Sequence, residues 1–137
     1  MKKRTCIMAV DDEERILLLL KRILEEEGFD FVGTTRGDSA ISMMREHRPN
    51  LVILDIMMPG LNGFQVLDLI RQTSGVPVIM LTGRDEVTAL HDAIEIGADD
   101  YIRKPFYPLE LVARIRAKLR RAAQSQPTSN RGKEIAD

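Results

Sequence analysis

The sequence predicts an α/β protein built as a three-layer sandwich around a parallel sheet. Three observations carry that reading: short apolar runs alternate with stretches of helical periodicity about five times, the links between them are short, and the central run Leu51-Val52-Ile53-Leu54 is apolar at every position. A strand without a polar face is buried on both sides and needs helices above and below it. Strands alternating with helices through short links imply right-handed crossovers and parallel pairing.

The elements follow in order. Thr5 to Val10 is an apolar strand that ends in Asp11-Asp12. Glu13 to Glu27 reads as a helix, because Ile16, Leu17, Leu20, Ile23 and Leu24 recur at helical spacing and Gly28 supplies a left-handed stop. Phe29 to Thr34 is a second, weaker strand. A second helix runs from Gly37-Asp38 to about Glu46, with Asp38 or Ser39 as its cap and Ala40, Ile41 and Met44 inward. The central strand, bounded by Pro49-Asn50 and by Met57-Met58-Pro59-Gly60, surfaces at Asp55. Asn62-Gly63 opens a third helix through about Gln72, and Ser74-Gly75 ends it. Val76 to Leu81 is the fourth strand, with its proline tolerated at the start, and it terminates in Thr82. A fourth helix spans about Asp85 to Ile96 and closes at Gly97. Asp100 to Arg103 is a short fifth strand ending in Lys104-Pro105, and Pro108 suits the first position of a last helix to about Arg121.

Composition narrows the class. With 137 residues, 44% hydrophobic and 30% charged, the chain suits one globular domain with a proper core. No apolar run approaches the roughly 18 residues that span a bilayer, and too few residues separate Arg4 from the acidic pair for a signal peptide. The expectation is a soluble, cytoplasmic protein with no membrane association. A net charge of −1 exerts no global pull on nucleic acid. Cys6, the single cysteine, is expected as a small buried hydrophobe; alone, it excludes an internal disulfide or a cysteine-based zinc site. From Gln124 the chain turns polar, so residues 1–123 are read as the domain and 124–137 as a flexible tail or linker.

In open parallel sheets ligands bind at the carboxyl ends of strands. Asp11, Asp12, Asp55, Thr82 and Lys104 all fall there. Taken alone, Lys104 reads as a solvated lysine, Thr82 as a helix cap, and one of Asp11 and Asp12 as a cap too. Together they demand more. Three converging carboxylates repel one another by about 4 kcal/mol per pair at about 4 Å and an effective dielectric of 20. A hard divalent cation such as Mg²⁺, which prefers carboxylate and water oxygens, would hold them, and no soft ligand nearby favours zinc or copper. Beside such a cation Asp55 can attack phosphorus while Lys104 and the Thr82 hydroxyl hold phosphoryl oxygens, giving an aspartyl phosphate. Pro105 suggests a cis bond or tight turn that aims Lys104 back over the strand ends.

These residues, with Met57-Met58-Pro59-Gly60-Leu61-Asn62-Gly63 and Lys104-Pro105-Phe106, resemble the receiver domain of bacterial two-component response regulators from about Lys3 to Arg121. The resemblance implies a flavodoxin-like, CheY-like α/β/α sandwich with five helices and a five-stranded sheet of order 2-1-3-4-5. It makes Asp55 the phosphoacceptor for a sensor histidine kinase. It also implies Asp12, Asp55, Asp11 and the Met57 carbonyl as the Mg²⁺ ligands, and Thr82 with Lys104 as the phosphoryl-binding pair. Thr82 would move toward the phosphoryl group and Tyr101 would swing inward behind it, biasing two existing states. Kinase choice is expected around Arg15, Leu18, Leu19 and Arg22 on the first helix.

The segments Gly97 to Tyr101 and Glu110 to Ile115 resemble receivers joined to winged-helix DNA-binding domains, which implies transcriptional output. Members dimerise through the fourth helix, fifth strand and fifth helix. Here Glu95, Asp99 and Asp100 would meet Arg116, Arg121 and Arg114 across a two-fold axis, around an apolar patch of Leu90, Ile94 and Val112. Leu90 stands where the family carries a basic residue, which leaves Glu110 without its usual partner unless His91 substitutes; a weaker or pH-dependent dimer follows. DNA contact would need a domain this chain lacks. The alternative is a degenerate or stand-alone receiver acting as a phosphorylation-independent binding module. A phosphatase of the haloacid-dehalogenase type is disfavoured, since its general acid two residues after the nucleophile would be Met57. At most, slow hydrolysis of its own phosphoryl group is expected, tuned by Met57 and Arg84, so the chain is not read as an enzyme.

Overall fold

A computed structural model describes residues 4–83 and 97–136, with side chains of the last helix described through residue 124. Five strands, β1 (Cys6–Val10), β2 (Asp30–Thr34), β3 (Leu51–Asp55), β4 (Val78–Thr82) and β5 (Asp100–Arg103), form one parallel sheet of order β2-β1-β3-β4-β5. Helices α1 (Glu14–Glu26), α2 (Ala40–His47) and α3 (Gly63–Thr73), a 3₁₀ turn (Gly37–Ser39) and a C-terminal helix (Pro108–Ala136) complete the described elements. The predicted fourth helix, with Leu90, His91, Ile94 and Glu95, and Arg84 just before it lie outside the described residues.

Side chains alternate across a strand, so each strand feeds two cores. One core joins Met8, Val10, Val52, Leu54, Val78 and Met80 to Ala40 of α2 and Val66, Leu67 and Ile70 of α3. The opposite core joins Ile7, Ala9, Ile53, Ile79, Leu81 and Ile102 to Leu20 and Leu24 of α1 and Leu111 and Ile115 of the C-terminal helix. Strands β3 and β4 are buried at all five positions, as a run apolar on both faces requires. Edge strand β2 is half-buried, which explains its weaker pattern.

Local signals set the helix ends. Gly28, at φ 91°, takes the left-handed conformation that closes α1. Asn62 caps α3 by a reciprocal box: its side chain accepts from the Gln65 N–H at 3.0 Å, and its own N–H donates to Gln65 Oε1 at 2.9 Å. Of the two residues predicted to cap α2, Ser39 holds the N-cap position, but without a side-chain cap bond. Asp38 instead accepts two bonds from the Arg36 guanidinium, at 2.7 and 3.0 Å, within the 3₁₀ turn Gly37–Ser39. A bidentate charged donor outcompetes a lone backbone N–H for that carboxylate. One helix end and one burial also differ from the prediction. The C-terminal helix continues past Arg121 to Ala136, since Ala122, Ala123 and Gln124 are good helix formers and supply no stop. Cys6, at the first position of β1, is half-buried rather than buried.

At the amino edge of the sheet, Arg71 in the last turn of α3 ties four segments together. Its guanidinium donates to the carbonyls of Gly97 (2.8 Å), Val76 (2.7 Å) and Ser74 (3.2 Å) and to Asp99 Oδ2 (2.9 Å). The same Asp99 oxygen accepts from the Val78 N–H at 2.7 Å, so the clasp fixes the starts of β4 and β5. Among the described residues, no helix is long and apolar enough to cross a membrane.

Candidate functional site

The sheet register brings the predicted residues to one edge. Val10 lies opposite Leu54, Asp55 opposite Leu81 and Thr82 opposite Arg103, so Asp11, Asp55, Thr82 and Lys104 leave their strands at the same level. Asp11, Asp55 and Thr82 are buried, whereas Asp12 is exposed. One oxygen from each of Asp11, Asp12 and Asp55 lies within 4.8 Å of the other two.

Lys104 completes the cluster. Its N–H donates to the Thr82 carbonyl at 2.7 Å, which continues the β4–β5 ladder, and the Lys104–Pro105 bond is cis, as the sequence suggested. The ammonium lies 3.0 Å from Asp11 Oδ2, 3.4 Å from Asp55 Oδ1 and 3.6 Å from Glu13 Oε1. Burial alone would lower its pKa, but the Asp11 and Asp55 carboxylates outweigh burial and hold it above the ordinary lysine value. Burial and the Asp11 charge push Asp55 up to about 7, against the opposing pull of Lys104. An aspartate there is poised to lose its proton once further positive charge arrives.

The two Asp11 oxygens differ. Asp11 Oδ1 accepts the Glu13 N–H at 2.9 Å. Asp11 Oδ2 is buried with no geometric hydrogen bond among the described residues, and the Lys104 ammonium 3.0 Å away is its ion-pair partner. A buried carboxylate oxygen with no geometric hydrogen bond, beside two further carboxylates, is the donor set a hard divalent cation takes. The residues therefore fit Mg²⁺.

Gly63 sets the far wall. Its N–H donates to the Ile56 carbonyl at 3.0 Å, and a Cβ there would collide with the Asp55 carbonyl oxygen and come within 2.8 Å of Ile56 Cα. Only glycine lets α3 start so close to the end of β3. Met57 leaves the loop with its side chain exposed, and Tyr101 is likewise exposed, pointing outward.

The residues expected to pair between subunits are engaged within the chain wherever they are described. Asp100 holds Arg114 at 3.0 Å through each carboxylate oxygen, with Lys118 at 3.9 Å. Glu110, expected to be without its usual partner on the fourth helix, lies 3.6 Å from Arg114 of its own helix. Asp99 belongs to the Arg71 clasp. Arg116 faces α1, 3.0 Å from Glu27 Oε1 and 5.0 Å from the centre of the Phe29 ring. Val112 is half-buried and Arg121 exposed. Sequence reasoning missed Glu13, Gly63's close approach and Arg71. For Glu13 a signal existed: it follows the acidic pair at the same strand end.

The response regulator receiver domain family matches residues 7–116. The DNA-binding response regulator MtrA of Mycobacterium tuberculosis is 48% identical over 118 residues, covering 86% of this chain and 52% of MtrA. The transcriptional regulatory protein YvrH of Bacillus subtilis is 43% identical over 125 residues, covering 90% of this chain and 53% of YvrH. The chain thus spans about half the length of these relatives. Among solved structures, the BeF3-activated N-terminal receiver domain of Klebsiella pneumoniae RstA superposes with a TM-score of 0.81 at 34% identity, covering 85% of this chain and 99% of that one.

Proposed function

The chain belongs to the response regulator receiver family, and from that premise we propose that Asp55 accepts a phosphoryl group from a histidine kinase and that the modification switches a surface controlling output. One observation supports this above all others: a buried aspartate at a strand end has a lysine ammonium 3.4 Å from one oxygen and two further carboxylates close by. An Asp55 oxygen forms the new bond to phosphorus as the bond from phosphorus to the donor's imidazole nitrogen breaks, and the imidazole leaves with that electron pair. Lys104 holds phosphoryl oxygens as charge develops on them, and the Thr82 hydroxyl donates to one. Asp11, Asp12, Asp55 and the Met57 carbonyl would hold Mg²⁺, whose charge offsets the repulsion between carboxylates and phosphoryl group. No general acid stands two residues after Asp55, so turnover of foreign phosphate esters is not expected, and loss of the phosphoryl group is slow.

Output is read from the relatives. MtrA and YvrH carry names that specify DNA binding and transcriptional regulation. The same role is proposed here: cytoplasmic, exerted through a DNA-binding domain outside this chain, and coupled to a phosphorylation-favoured homodimer. For Asp100 and Arg114 to pair across that dimer, the in-chain contact must be exchanged for one with the second copy.

The test is intact mass after incubation with Mg²⁺ and acetyl phosphate. Wild-type protein gains one phosphoryl group, whereas Asp55→Asn, or wild type with EDTA, gains none. A folded wild-type protein that gains nothing would point to the degenerate receiver. A gain that survives in Asp55→Asn would move the acceptor elsewhere.

A further inference from the structure

Glu13 occupies the N-cap position of α1 with extended backbone (φ −93°, ψ 109°), yet its side chain makes no cap bond. Glutamate is a poor capping residue, so the position contributes little to the helix. Its backbone N–H is spent on Asp11 Oδ1, which fixes Glu13 beside the acidic pair, and its carboxylate reaches Lys104 Nζ at 3.6 Å. The Glu13 side chain is 52% exposed and the Lys104 side chain 18%, so this contact lies on the solvent side of the ammonium. The contacts at 3.0 and 3.4 Å, to Asp11 and Asp55, lie on its buried side.

We infer that Glu13 is a positioning residue for Lys104: it draws part of the ammonium's charge outward and leaves Asp11 and Asp55 open to a divalent cation. The inference rests on the site reading above. The oxygens that Lys104 holds on its buried side are the ones a cation needs. A lysine shared among three carboxylates releases each more readily than one shared between two. Glu13 also adds a negative charge to a site that must attract a cation. Removing its charge therefore weakens cation binding in two ways, by tightening Lys104 on the aspartates and by lowering the local field.

The experiment is calorimetric titration of Mg²⁺ into wild type, Glu13→Gln and, as control, Glu14→Gln, whose substitution lies one residue further along α1. Thermal melts establish that all three are folded. Glu13→Gln is expected to raise the Mg²⁺ Kd by roughly two- to fivefold, the span of partly exposed ion pairs, while Glu14→Gln stays at the wild-type value. A Kd unchanged in Glu13→Gln, or raised equally in both variants, overturns the inference; wild type that binds no Mg²⁺ overturns it together with the site reading. Acetyl phosphate modification is followed on the same samples. Wild type that binds Mg²⁺ but gains no phosphoryl group counts against the phosphoacceptor reading alone, and the comparison of Kd values still decides the role of Glu13.

Discussion

The two edges of the sheet each place one cation among oxygens, and they do so to opposite ends. At the amino edge Arg71 donates four hydrogen bonds, three to carbonyls and one to Asp99, whose accepting oxygen also takes the Val78 N–H. At the carboxyl edge Lys104 stands among Asp11, Asp55 and Glu13, and buried Asp11 Oδ2 has the ammonium as its ion-pair partner. In the first network every guanidinium contact is met by a matched oxygen. The second carries excess negative charge around a single ammonium, a standing cost that a divalent cation can relieve. Saturation marks structure here, and imbalance marks function.

The largest expected effect comes from breaking the saturated edge. Arg71→Met strands three carbonyls and the Asp99 carboxylate, and it is expected to destabilise the protein by roughly 2–4 kcal/mol. Urea unfolding with and without Mg²⁺ checks it. The loss should be the same in both, because the clasp lies at the far edge from the acidic cluster. A loss that Mg²⁺ repairs would mean the two edges are not independent, and the contrast between them would fall.

The acidic edge should respond in the other direction. Burial and the Asp11 charge raise Asp55 to about 7 in the folded chain, above an unfolded aspartate near 3.8. Its contribution to stability is therefore fully present below about pH 4 and is lost as pH rises through about 7. In EDTA at pH 8, Asp55→Asn is expected to be more stable than wild type by roughly 1–3 kcal/mol, a gain that shrinks at pH 5 as wild type takes up its proton. Mg²⁺ should narrow the gap at pH 8 by stabilising wild type alone. Paired melts at the two pH values decide; a variant less stable than wild type at pH 8 would mean that Asp55 is structurally needed, not merely tolerated.

What the sequence made legible divides along the same lines. Asp11, Asp12, Asp55 and Lys104 could be read because each ends a strand, and parallel topology gathers strand ends whatever the details of packing. The layered fold was legible from Leu51-Val52-Ile53-Leu54 and its neighbours for the same reason: burial on both faces leaves no periodicity to mistake. Arg71 could not be read, since its partners lie up to 28 residues away and three are carbonyls, which every residue carries. Arg116 meets Glu27 from 89 residues off. Asp38 misled for a local reason, since a carboxylate at a cap position bonds whichever donor is strongest, and Arg36 stood two residues before it.

Arg116 sharpens the contrast from a third direction, with the smallest expected effect. Its side chain and that of Glu27 are 44% and 43% exposed, and the pair is 3.0 Å apart, with the guanidinium 5.0 Å from the centre of the Phe29 ring. Water and salt screen such a pair, so Arg116→Met is expected to cost less than about 1 kcal/mol, much of it lost stacking on Phe29. Raising the salt concentration should shrink that cost further and leave the Arg71→Met penalty almost untouched, because the Arg71 partners are largely hydrogen-bonding carbonyls. Urea midpoints at low and high salt separate the two. If both penalties fell together with salt, Arg71 would be acting through charge alone, and the amino edge would differ from Arg116 only in degree. If only Arg116 responds, an arginine stabilises this fold by how completely its donors are matched, which is the property that Lys104 and its carboxylates lack.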